Sequence, residues 1–193
     1  MRRLGLVLVM MAVALVLGSG IALAAVKFGT DGSDFLVGTN GRDQLFGKGG
    51  GDGLVGRAAD DVLFGGDGKD FLFGGSVRYD EIFHDGYKMV PDGEDRLYGG
   101  GGHDCMFGGS QDDVIYGGPG DDEMGFYCYD FIFDTGKDVF NGGPGNDFIW
   151  SWDFTGREPQ RDVVFCGGGR DEVIADRRDR LFDCEKVERV GRR

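Results

Sequence analysis

A nine-residue period runs through most of this chain and limits its fold more than any other feature. In Gly65-Gly66-Asp67-Gly68-Lys69-Asp70-Phe71-Leu72-Phe73, glycines come early, an aspartate holds position six and an aliphatic residue holds position eight. Position six recurs as Asp34, Asp43, Asp52, Asp61, Asp70, Asp95, Asp104, Asp113, Asp122, Asp138, Asp147, Asp162 and Asp171. Position eight keeps step as Leu36, Leu45, Leu54, Leu63, Leu72, Leu97, Met106, Ile115, Met124, Phe140, Ile149, Val164 and Val173. Such self-similarity dictates a stack of small units, each burying its apolar residue only against its neighbours. Glycine supplies 39 of the 193 residues, far above the usual ~7%. Without the period that surplus would suggest disorder; with it, glycine serves the φ > 0 positions of tight coils.

The pattern reads G-G-x-G-x-D-x-U-x, with U aliphatic. On these residues the chain resembles the RTX family, the hemolysin-type calcium-binding repeats, over roughly residues 28 to 174. The resemblance implies an all-β fold, a parallel β-roll or β-helix solenoid with two nonapeptides per coil. In it the first six residues of a unit turn and bind Ca²⁺, and the last three form a short strand. The expected organisation is a signal peptide over 1–25, a calcium-binding roll over 26–174 and a C-terminal cap over 175–193.

The chemistry agrees with that expectation. Ca²⁺ is a hard cation that takes six to eight oxygen ligands from carboxylates and carbonyls. Glycine lets carbonyls approach because no Cβ intervenes, and aspartate is short and anionic. All thirteen position-six aspartates are therefore the candidate metal ligands. Stacking puts equivalent aspartates of alternate units one coil, or eighteen residues, apart. Five pairs show that separation without interruption: Asp34–Asp52, Asp43–Asp61, Asp52–Asp70, Asp95–Asp113 and Asp104–Asp122. If the insertions only bulge from continuous coils, pairs such as Asp61–Asp95 and Asp122–Asp147 join them, giving five to eleven Ca²⁺ sites. Without metal, each like-charge contact in such a stack costs on the order of a kcal/mol, so metal binding and folding are expected to be one coupled equilibrium.

The N-terminus reads as a secretory signal: Arg2 and Arg3, an apolar run from Leu4 to Leu17, and Ala22-Leu23-Ala24 as a cleavage site. The favoured outcome is removal after Ala24 or Ala25, with secretion and no stable membrane insertion afterwards. The competing outcome is a retained anchor, since the apolar stretch to Val26 is long enough to span a bilayer. Removal of Arg2 and Arg3 leaves 19 basic against 34 acidic residues, a net charge of −15. That balance argues against a nucleic-acid partner, whose phosphates would be repelled.

Four cysteines, Cys105, Cys128, Cys166 and Cys184, fit an exported chain with two disulfides. Cys166 and Cys184 are one full coil of a two-nonapeptide roll apart, and adjacent strands lie about 4.8 Å apart, within disulfide reach. That pairing is expected first, and Cys105–Cys128 second.

Strand alternation turns position eight inward and positions seven and nine outward. The outward residues include Phe46, Phe64, Phe71, Phe73, Tyr98, Phe107, Tyr116 and Trp150, expected to form ladders between coils. The period also breaks. Position four carries Ala59, Gln111 and Gln160, position one reads as Val90, Phe133 and Cys166, and Thr30 and Thr39 replace the second glycine. Insertions run over Gly75 to Val90, Phe126 to Ile132 and Ser151 to Arg161. The charged end is expected to cap the solenoid, with Asp176, Asp179 and Asp183 as cap or salt-bridge residues rather than ligands.

No H-E-x-x-H, G-x-S-x-G or P-loop motif occurs, and the two histidines, His84 and His103, have no catalytic company. The primary expectation is a secreted Ca²⁺-binding roll that folds on Ca²⁺ and has no catalytic activity. The alternative is an extracellular or cell-surface adhesion protein with structural Ca²⁺, contacting a surface glycan or another protein through its aromatic insertions.

Overall fold

A computed structural model describes residues 24–75, 92–125, 135–153 and 160–190. Among the described residues there are sixteen strands and no helix. Numbered in chain order, β1 (Val26–Phe28), β3 (Gln44–Gly49), β5 (Val62–Asp67), β7 (Arg96–Gly101), β9 (Val114–Tyr116), β11 (Val139–Pro144), β13 (Val163–Gly168) and β15 (Arg180–Phe182) form one sheet in that order. The second sheet holds β2 (Phe35–Val37), β4 (Gly53–Arg57), β6 (Phe71–Gly75), β8 (Cys105–Phe107), β10 (Glu123–Met124), β12 (Phe148–Ser151), β14 (Glu172–Asp176) and β16 (Lys186–Val190). Every pairing is parallel, as in Leu45↔Leu63 and Leu54↔Leu72. Successive strands alternate between the sheets, so two nonapeptides make one coil and the expected β-roll is the observed architecture.

The insertions leave the register intact. Leu63 pairs with Leu97 across 34 residues, Ile115 with Phe140 across 25 and Phe140 with Val164 across 24. The strands on either side of each insertion therefore stack as adjacent coils. The position-eight residues from Leu45 to Val173 are all fully buried, and Leu36, at the first coil, packs on them from a half-buried position. One buried apolar side chain per unit is a small gain against ordering nine residues, so this thin core does not hold the coils by itself.

Outer rows add to it. Phe28, Phe46, Phe64, Tyr98 and Tyr116 stack with centroids 4.8–5.0 Å apart, and Phe165 stacks on Phe182 at 4.9 Å. Phe73 and Phe107, also on outward positions, are buried. At the first coil an inner position eight is taken by Lys27, whose ammonium donates to the Val37 carbonyl. An inward-pointing charge of this kind discourages pairing at an open sheet edge.

One expected register is corrected. Position one of the Asp95 turn is Gly74, because a Cβ on Gly74 would lie 2.2 Å from Asp95 Oδ2. Gly75, the last residue of β6, still pairs with Arg57 of β4, and Asp92 takes position three of the turn, bonded to Ser110. Position one is thus not Val90; Val90 and Phe133 lie outside the described residues.

At the far end, β15 and β16 continue both sheets through the segment read as a cap. Cys166 and Cys184 are joined with Cα atoms 5.2 Å apart. Cys105 is also disulfide-bonded; its expected partner, Cys128, lies outside the described residues. Replacing Cys184 with Ser is expected to cost about 2–4 kcal/mol, as for closing a loop of this size. Calorimetry would show a lowered Tm; an unchanged Tm would mean that the bond does not hold the last coil.

Candidate metal columns

The position-six aspartates fall into two columns, one on each side of the roll. Asp43, Asp61, Asp95, Asp113, Asp138 and Asp162 precede strands of the first sheet; Asp34, Asp52, Asp70, Asp104, Asp122, Asp147 and Asp171 precede strands of the second. Within a column each backbone N–H donates to Oδ1 of the aspartate one coil on. This happens at 2.7–2.9 Å for Asp34→Asp52, Asp43→Asp61, Asp52→Asp70, Asp61→Asp95, Asp70→Asp104 and Asp95→Asp113. It continues for Asp104→Asp122, Asp113→Asp138, Asp122→Asp147, Asp138→Asp162 and Asp147→Asp171. All eleven pairs allowed by the sequence are stacked neighbours, including those that cross an insertion.

The other oxygen has a different fate. Oδ2 of Asp52, Asp61, Asp70, Asp104, Asp122, Asp147 and Asp171 is buried with no hydrogen-bond donor. A buried ionic oxygen without a donor is costly, so each of these needs a positive partner. The position-one glycine shows where one fits. A Cβ on Gly65 would lie 2.5 Å from Asp70 Oδ2 and 2.5 Å from the carbonyl oxygen of Gly99, one coil on. The same convergence recurs at Gly47, Gly56, Gly99 and Gly117. Carboxylate and carbonyl oxygens therefore line a small cradle that a position-one glycine leaves open; the Asp171 turn has Cys166 there instead.

Around the cradle the turn needs positive φ at positions two and four, as at Gly66 (115°) and Gly68 (135°). Four departures from glycine keep that geometry: Ala59 takes 69°, Gln111 83°, Lys48 86° and Arg57 98°. Ala59 and Gln111 at position four therefore do not unwind their turns; Gln160, the third lost glycine, is not among the residues at positive φ.

Burial raises the column carboxyls, to about 7 for Asp61 and Asp122 and about 6 for Asp104 and Asp147. Desolvation is the largest cause, opposed by the backbone N–H bond from the preceding coil; a neighbouring column aspartate adds to the rise. Asp34 shifts the other way, held below its ordinary value by the Thr30 amide and hydroxyl.

Among the described residues no three His, Cys, Asp or Glu side chains gather as a metal cluster. Any ion in a cradle must draw on backbone carbonyls as well as carboxylates. All these donors are hard oxygens, the set Ca²⁺ takes. A family model for the RTX calcium-binding nonapeptide repeat matches the chain in four copies, over residues 28–58, 46–77, 92–124 and 134–153. The chain belongs to the RTX calcium-binding repeat family. No curated protein matches it. The donor set fits Ca²⁺ binding by these RTX repeats, and a bound ion would supply the positive charge that the stacked carboxylates lack.

The RTX ladder runs past the matched residues. Asp162 N–H donates to Asp179 Oδ1 at 3.2 Å and Asp171 N–H to Glu185 Oε2 at 2.9 Å. Asp179 Oδ2 in turn accepts from the Ser151 hydroxyl at 3.1 Å and the Asp176 amide at 2.7 Å. Sequence reasoning did not place Asp179 or Glu185 in the columns because they follow at separations of 17 and 14. It also passed over Asp92, buried at position three, whose Oδ1 accepts from the Ser110 amide at 3.0 Å and hydroxyl at 2.7 Å. The available signal was Ser110, one coil-length further along. His103 sits in a turn with its ring nitrogen against the Asp121 carbonyl; His84 lies outside the described residues.

Proposed function

We propose that this protein is an exported Ca²⁺-binding β-roll whose folding is coupled to metal and which carries no catalytic activity. The supporting observation is the set of buried Oδ2 atoms that have no donor and face a carbonyl oxygen across a glycine cradle. The periodic carboxylates are then occupied as ligands and ladder acceptors, which leaves none of them for acid–base chemistry. Export rests on the N-terminal sequence and on the Cys166–Cys184 bond, a covalent link suited to an oxidising compartment. The adhesion alternative places its contacts in aromatic insertions such as Phe126 to Ile132, which lie outside the described residues. The described outer rings stack on one another at ladder spacing, as packing between coils requires. Isothermal titration is expected to find several Ca²⁺ per chain. One ion or none would refute the proposal.

A further inference from the structure

The two turns of the first coil keep the same oxygens about position one, Asp34 Oδ2 and the Gly47 carbonyl at Gly29 and Asp43 Oδ2 and the Gly56 carbonyl at Gly38, but their carboxylates are hydrogen-bonded differently from those that follow. In most of the later turns position two lies at positive φ, as at Lys48, Arg57, Gly66, Gly100 and Gly118. Its N–H is directed at the position-one carbonyl one coil on, as for Gly100→Gly117 at 3.0 Å and Gly118→Gly142 at 2.9 Å; Gly75 makes the same bond to Gly108 at 3.1 Å without a positive φ. The aspartate Oδ2 then receives no proton from its own turn. Thr30 and Thr39 occupy position two in the first coil and stay out of the positive-φ region, which a β-branched residue enters only at high cost. In these two turns the position-two N–H points at the carboxylate of its own turn. Thr30 N–H donates to Asp34 Oδ2 at 2.5 Å and the Thr30 hydroxyl to the same atom at 2.8 Å. Thr39 N–H likewise donates to Asp43 Oδ2, and the Thr39 hydroxyl reaches Asp43 Oδ1 at 3.1 Å. Each hydroxyl also accepts from the glycine two residues on, Gly32 at 3.2 Å and Gly41 at 3.1 Å, which locks the turn.

We propose that Thr30 and Thr39 make the first-coil turns metal-free, so that protons from the chain take the place of Ca²⁺ on Asp34 and Asp43. The inference rests on the calcium reading and sharpens it: threonine or glycine at position two decides whether a turn holds an ion. Two of the eleven stacked pairs, Asp34–Asp52 and Asp43–Asp61, begin in such turns, so the ceiling on bound ions falls by two. The other end of one column is closed in a related way, by the Ser151 hydroxyl on Asp179. Ions are thereby confined to the interior coils, and the exposed first coil keeps its turns when Ca²⁺ exchanges with solvent.

The test is the ion count by native mass spectrometry at saturating Ca²⁺, with circular dichroism to confirm folding. Thr39→Gly frees the position-two amide and is expected to raise the count by one over wild type. Thr30→Gly does the same independently, should the first variant fold poorly. Thr39→Val keeps the β-branch that holds position two out of positive φ, leaves the amide on Asp43 and is expected to keep the wild-type count. Glycine variants that fold and bind no additional ion would overturn the inference while leaving the calcium reading intact. A wild-type chain with no ion at all would instead remove the calcium reading on which it stands.

Discussion

Chelating Ca²⁺ at neutral pH is expected to abolish most of the β signal in circular dichroism, and acidifying the chelated protein to about pH 4 to restore part of it. The first half follows from the columns. Burial and stacking leave carboxylates one coil apart with their Oδ2 atoms facing no donor, and the single apolar residue per unit cannot offset that repulsion. The second half follows from the direction of the shifts. In the metal-free fold, Asp61 and Asp122 rise from 3.8 to about 7, and Asp104 and Asp147 to about 6. A carboxyl with a higher pKa folded than unfolded binds more protons when folded. Its neutral form favours the fold below the ordinary value, and that stabilisation is lost as pH climbs through 4 to 7. Asp34 and Glu185 shift the other way, but both sit at open ends of their column, where solvent screens them. Calcium inverts the profile: the loaded protein is most stable near neutrality and weakens in acid, as protons compete for the same oxygens. Full β structure in the chelated protein at neutral pH would contradict the coupling of metal to fold.

The architecture was legible because one period fixes three things together. A unit of nine with position eight apolar gives the strand and its inward face. Two units per coil give the parallel pairing, and position six gives the columns. What escaped the sequence lay where the period is locally ambiguous. Val90 stands at the formal offset for position one, but Gly74 fills that place against Asp95 Oδ2 and the Gly108 carbonyl, while Asp92 is tied to Ser110 on the next coil. An acidic residue at position three also occurs at Asp31 and Asp67, so nothing in Asp92 itself marks it as buried. Asp179 and Glu185 continue the ladder after shortened coils, and only a backbone register shows that a carboxylate still falls beneath the donor. Lys27 at an inner position eight became intelligible only with the Val37 carbonyl beside it. The threonines at position two looked like a mild loss of glycine; their effect depends on which way one peptide N–H points, and composition is silent on that.

Gly65→Ala should damage the roll far more than Gly168→Ala, although both add one methyl group to a repeat. A Cβ on Gly65 meets two oxygens at 2.5 Å, the Asp70 carboxylate and the Gly99 carbonyl, closer than real Cβ atoms come. The carbonyl cannot yield without disturbing the ladder, and the carboxylate cannot yield without giving up the Asp52 N–H bond to its Oδ1 at 2.8 Å. Overpacking of this kind costs about 1–3 kcal/mol, and here the methyl also fills the cradle, so an ion should be lost with it. Gly168 has nothing within 4 Å of its Cβ position and no positive φ, so alanine there is expected to change stability by less than about 0.5 kcal/mol. Cys166 shows the condition under which position one accepts a side chain: its Sγ spans to Cys184 on the last coil, where a covalent bond links the rungs. Measured together, Gly65→Ala should lower the calcium-loaded Tm by several degrees and reduce the ion count, while Gly168→Ala leaves both at wild-type values. Equal behaviour of the two variants would mean that the oxygens around Gly65 do not form a metal cradle.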